Sequence, residues 1–186
     1  MTTRRACLAA VLLTTALALT GCGDADPGAG SVPGGWGTLR TDAVDVSYPK
    51  GWQEQSAAER GRHNVAAAVR TEGGRKVAVV TVQLGFTEAA SAEQAAIAAE
   101  AGIQLGAKVR GQEDADLAGT DDAKRIDFSF TATGEDGGPA KGTPVEGVIL
   151  TGLDSSGTAF AVRIDARRGS LPSGDLDRIV DSVEVH

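Results

Sequence analysis

The chain has 186 residues, 25 of them acidic and 18 basic, for a formal net charge of −7. No run of Lys and Arg exceeds a pair (Arg75-Lys76, Lys124-Arg125, Arg167-Arg168), so the basic footprint that nucleic acid requires is missing. The two cysteines, Cys7 and Cys22, leave everything beyond residue 22 without a disulfide framework or a thiolate metal site.

Residues 1–5 open with Arg4 and Arg5, and residues 6–19 are apolar except for Thr14 and Thr15. That run falls short of the ~20 residues of a membrane-spanning helix and reads as the hydrophobic core of a secretory signal. An uncleaved anchor, or an ordinary signal whose cysteine is incidental, is the plainer alternative. At the end of the run, however, Leu19-Thr20-Gly21-Cys22 resembles the lipobox of bacterial lipoproteins at all four positions. The resemblance implies cleavage between Gly21 and Cys22, acylation of the Cys22 sulfur, and a lipid-anchored location on the extracytoplasmic face of the cell membrane. Thr3-Arg4-Arg5 also resembles a twin-arginine export signal, and two arginines equally suit a general secretory start, so both routes stay open. Loss of Arg4 and Arg5 takes the net charge from −7 to −9, which speaks against a polybasic grip on anionic lipid. Membrane contact is expected through the lipid on Cys22.

Residues 22–37 read as a flexible tether: Gly, Pro, Asp and Ser dominate and Val32 is the one branched apolar residue before Trp36. Flexible-chain scaling gives ~20 Å of reach. Residues 38–186 are expected to form a single globular domain, large enough to bury ~70% of its unfolded surface.

Within it, Val44, Val46 and Tyr48 alternate with polar residues and predict a strand that stops at Pro49. Residues 65–71 and 76–84 flank Glu72-Gly73-Gly74 as a hairpin. Ser91, with Gln94 three residues on, predicts a capped helix with Ile97, Ala101 and Leu105 on its buried face and an end at Gly106. Gly102 inside that helix costs ~1 kcal/mol relative to alanine. Residues 108–117 form a weaker strand before a turn at Gly119-Thr120. Ile126, Phe128 and Phe130 then alternate with Asp127 and Ser129 as a half-buried strand with its apolar side under a helix. A Gly-rich loop over residues 133–144 leads to a second hairpin, residues 145–151 and 158–165, with Phe160, Val162 and Ile164 on one face. Leu176, Ile179, Val180 and Val183 follow helical spacing over residues 173–182, and residues 183–185 return as a strand. The fold class is therefore α+β: a mainly antiparallel sheet flanked by helices, not a βαβ nucleotide fold.

The run Val46-Ser47-Tyr48-Pro49-Lys50-Gly51-Trp52 resembles the opening of PsbP-like and Mog-type domains, and residues 178–185 are similar to their closing helix and strand. Residues 119–131 resemble a segment of the LpqN-type lipoproteins of actinobacteria. The resemblance covers residues 38–186 in outline. It implies an α/β/α sandwich and a role as an adaptor, and it transfers no catalytic residue.

The residues that could carry chemistry each meet an obstacle. Ser47 and Lys50 spell S-x-x-K and Lys141-Gly142-Thr143 faintly echoes K-T-G, but Pro49 breaks the helical turn that a penicillin-recognising hydrolase needs. Asp114, Asp116, Gly119 and Asp122 begin a calcium loop, yet Ala118 and Arg125 stand where oxygen ligands belong. His63 and His186 form no metal-ligand pair, and no G-x-S-x-G elbow presents a serine to His63. No enzyme activity, metal or cofactor is expected. Trp36, Tyr48 and Trp52 stand out among seven aromatics as a candidate binding surface, against the simpler expectation that they fill a core rich in Ala and Val. Two functions remain: an adaptor that binds a protein of the cell envelope, or a lipoprotein that takes a small or lipidic ligand between sheet and helix.

Overall fold

The computed structural model describes residues 33–103, 105–135 and 137–186, so Gly21, Cys22 and most of the tether lie outside the described residues. The chain forms two antiparallel meanders joined edge to edge. The first comprises β3 (Gln53–Glu54), β4 (Ala66–Glu72) and β5 (Arg75–Leu84). The Gly73-Gly74 turn between β4 and β5 has positive φ at both residues, the conformation a two-residue hairpin with right-handed twist demands. The second comprises β6 (Lys108–Leu117), β7 (Thr120–Thr131), β8 (Pro144–Leu153) and β9 (Ala159–Arg167). Pairing of β5 with β9 unites them into a seven-stranded sheet of order β3-β4-β5-β9-β8-β7-β6. The fold is α+β with an antiparallel sheet, as the residue pattern indicates.

Between the meanders the chain crosses one face of the sheet as α1 (Ala92–Ala101), which packs on β7, β8 and β9. The other face is covered by β1 (Gly37–Arg40), β2 (Val44–Tyr48) and β10 (Glu184–Val185), a three-stranded sheet, together with α2 (Ser173–Asp181). Gly37, assigned above to the end of the tether, opens β1 and pairs with Tyr48.

Two cores result. The larger is filled by Val44, Val46, Val80, Val82, Leu150, Phe160, Val162 and Ile164, with Ile179 and Val183 from the C-terminal segment. The Ser182 hydroxyl accepts from the Ser47 N–H at 2.9 Å and donates to the Ile179 carbonyl at 2.7 Å, which ties the end of α2 to β2. The smaller core lies under α1 and holds Ile126, Phe128 and Ile149, with Phe130 packed at its margin. Asp127 projects to the opposite face and binds Arg125, whose Nε lies 2.9 Å from Oδ2.

The buried face of α1 differs from expectation. Ala92, Ala95, Ala96 and Ala99 face the sheet, whereas Ile97 is 62% and Leu105 99% exposed and Ala101 is also exposed. Both sets of spacings are helical, so periodicity alone does not choose between them. The sheet chooses: a surface already filled by Ile126, Phe128 and Ile149 admits a helix only through small side chains. The Ser91 hydroxyl accepts from the Gln94 N–H at 3.3 Å, as expected of the N-cap, and the Gln94 side chain reaches back to the Ala90 N–H at 2.9 Å. The helix ends at Gly102 rather than Gly106. The Gly102 N–H donates to the carbonyls of Ala98 and Ala99, and Ile103 folds back onto the core.

Candidate functional site

Because α1 covers only the β7–β9 part of its face, the adjoining floor of β5 and β9 is left without a helix. Strand alternation decides what that floor presents. Ala78, Val80 and Val82 of β5 point into the larger core, so Val77, Val79, Thr81 and Gln83 point the other way. On β9, Phe160, Val162 and Ile164 enter the larger core, and Ala161, Arg163 and Asp165 face the α1 side.

Two loops wall this floor. Residues 132–135 and 137–143, between β7 and β8, arch back to the start of β5, where the Lys76 N–H donates to the Gly137 carbonyl at 2.8 Å and Arg75 Nη1 to the Gly138 carbonyl at 3.3 Å. Residues 55–65, between β3 and β4, form the second wall, and the Gln83 amide donates to Asn64 Oδ1 at 2.9 Å. The space enclosed is a cavity of about 450 Å³. A narrower space of about 70 Å³ continues from Arg163 beneath α1 toward Phe86 and Gly102.

The cavity mixes apolar and polar surface. Val77, Val79, Val145 and Phe130 supply the apolar part. The Thr81 hydroxyl and the Gln55 side-chain amide have no protein partner among the described residues. Arg163 and Asp165 form an ion pair on the floor: Nε lies 3.0 Å from each carboxylate oxygen and Nη2 3.0 Å from Oδ2. Burial pushes the Asp165 carboxyl above the usual range, against the opposing pull of Arg163. The Arg163 guanidinium also sits 4.9 Å from the Phe128 ring centroid, a cation–π distance, and Phe128 stacks on Phe130 at 6.2 Å.

The aromatic residues singled out by sequence lie elsewhere. Trp36, Tyr48 and Trp52 all pack with the larger core, on the opposite face of the sheet from the cavity, with Trp36 half-buried at its edge. The Tyr48 hydroxyl donates to Glu54 Oε1 at 2.7 Å. Ser47 is buried in β2 beside the Thr38 hydroxyl, and Lys50 is exposed in the following turn. Asp114 accepts from Lys124 Nζ at 2.6 Å, and Asp122 receives the Ala92 N–H at the start of α1. His63 accepts from Arg62 Nε at 3.1 Å, and His186 Nε2 lies 3.6 Å from Asp45. Among the described residues no three His, Cys, Asp or Glu side chains converge as a metal site.

The cavity residues were hidden by their own alternation. Arg163 and Asp165 interleave with Val162 and Ile164, the pattern of a strand with one wet face. Their pairing and burial follow from the position of β9 in the middle of the sheet, which hydropathy does not encode.

No protein-family model and no curated protein matches the chain. Among solved structures, a Bacteroides thetaiotaomicron protein shares 13% identity over 77% of this chain with a TM-score of 0.44, and the chain spans 45% of its length. A Pseudomonas aeruginosa protein of unknown function shares 14% identity with a TM-score of 0.41, over 77% of this chain and 91% of that one.

Proposed function

We propose that this is a non-catalytic lipoprotein of the cell envelope, anchored through acylated Cys22 on the extracytoplasmic face, that binds a small amphipathic ligand in the groove between the sheet and the two loops that wall it, at residues 55–65 and between β7 and β8. The observation that carries the ligand reading is the cavity of about 450 Å³ whose apolar lining is interrupted by the unpartnered Thr81 and Gln55 groups. Its size falls within the ~300–1,000 Å³ of small-molecule sites, and a few converging polar groups on an apolar lining are how such sites orient a ligand. The Leu19-Thr20-Gly21-Cys22 run supports the anchor. A helix on one face of the sheet and a helix with a small sheet on the other supports kinship with the PsbP-like and Mog-type α/β/α sandwiches.

The adaptor reading is favoured by different residues. Ile97 and Leu105, together with Val109 at the start of β6, are exposed apolar side chains that a protein partner could cover.

Native mass spectrometry of the full chain purified from its membrane tests the ligand reading. A bound small molecule is expected on the wild type and not on Thr81→Trp, whose indole fills the cavity while the sheet behind it is unaltered. Equal adducts on both, or none on either, would remove the groove from the account.

A further inference from the structure

The charges on the cavity floor point to what it accepts. Arg163 and Asp165 are 25% and 18% exposed at the side chain and engage each other through three contacts of 3.0 Å. Their placement is built into the sheet. Register sets Phe128, Gly147 and Asp165 side by side across β7, β8 and β9. A Cβ on Gly147 would overlap both the Phe128 ring and Asp165 Oδ1. Glycine at 147 thus lets the ring lie across β8 as the platform for Arg163 and lets the carboxylate lie flat beside it. The pair is in place before any ligand arrives.

This arrangement discriminates by charge. Lys76 and Glu135 also line the cavity, one charge of each sign. On the floor itself, an entering carboxylate would have to share Arg163 with Asp165 at a distance where like charges in a poorly solvated site repel strongly. An ammonium would meet Arg163 in the same way. An uncharged amide meets neither penalty. Its carbonyl can accept from Arg163 Nη1, which Asp165 does not engage, and its N–H can donate to the Thr81 hydroxyl or the Gln55 side-chain oxygen. Val77, Val79 and Phe130 remain for an apolar body.

Building on the groove as the ligand site, we propose that it selects small uncharged amides carried on an apolar body, and that Asp165 sets this selectivity by occupying the charge of Arg163.

Three probes with one six-carbon body test this: hexanamide, hexanoate and hexylammonium, titrated into the full chain held in phosphatidylcholine nanodiscs, with the methyl NMR signals of Val77 and Val79 as the readout. Hexanamide is expected to bind at least ~10-fold more tightly than either charged probe. In Asp165→Asn the freed Arg163 should shift the preference to hexanoate. The doubly neutral Arg163→Gln, Asp165→Asn chain should keep the amide preference, and it serves if the single variant fails to fold. Equal or tighter binding of a charged probe to the wild type overturns the selectivity while leaving the groove intact. An unchanged preference in Asp165→Asn removes the role of Asp165. If none of the three probes moves the Val77 and Val79 signals, the groove reading falls and the selectivity with it.

Discussion

The Tyr48 ring lies across Gly37, where any β-carbon would overlap it, and this crossing carries the hydroxyl to Glu54. Burial first, then the hydrogen bond and charge of Glu54, raise its pKa from 10.0 to about 12. The folded state therefore holds the phenol proton more tightly than the unfolded chain does. The stability this contributes is complete below pH 10 and is lost as pH rises through 12. Urea midpoints at pH ~9 and ~11.5 should fall for the wild type and change less for Tyr48→Phe. Phe128 matters through volume rather than titration. It is fully buried beneath α1, so Phe128→Ala should cost about 3–5 kcal/mol. Asp127→Ala, on the same strand but facing away and partly exposed, should cost about 1 kcal/mol or less. Equal, small shifts in the thermal melts of these two variants would mean that β7 is peripheral to the fold.

At the scale of elements, α1 is where sequence and structure diverge most usefully. Its alanine face makes a sharp prediction: Ile97→Ala should change stability by no more than ~0.5 kcal/mol, whereas Ala96→Leu should cost ~1–3 kcal/mol by overpacking. The reverse order of melts would restore Ile97 to the core. The longer strands were legible because they alternate, as Val44, Val46 and Tyr48 do in β2 and Phe160, Val162 and Ile164 do in β9, whereas the short β1 and β3 carry no such pattern and went unread. The cap at Ser91 and the turn at Gly73-Gly74 were legible because their chemistry is local. The helix face was not, since the partner surface that selects alanine comes from β7, β8 and β9, which follow later in the chain. The cavity was invisible for the same reason. Its floor joins β5 to β9, a pairing between the two meanders that no local pattern announces. β6 shows how an exposed edge is kept from pairing further. It carries Lys108, Arg110, Glu113, Asp114 and Asp116, and its register with β7 shifts twice, between Val109 and Gly111 and between Ala115 and Leu117.

At the scale of the whole molecule, the proposed anchor at Cys22 and the proposed groove are tested separately. Cys22→Ala should abolish incorporation of labelled palmitate and leave unprocessed precursor, while Cys7→Ala should do neither; normal labelling of the Cys22 variant would sink the anchor. The groove and the adaptor surface are separated by hydrogen exchange on the full chain, with and without a small-molecule extract of its own cell envelope. If the groove is the working site, slowed exchange should appear in the 133–139 loop and at residues 61–64, the two walls of the cavity, and should vanish in Thr81→Trp. Unchanged exchange in both walls, or the same slowing in Thr81→Trp, would contradict the claim that this protein acts through the groove.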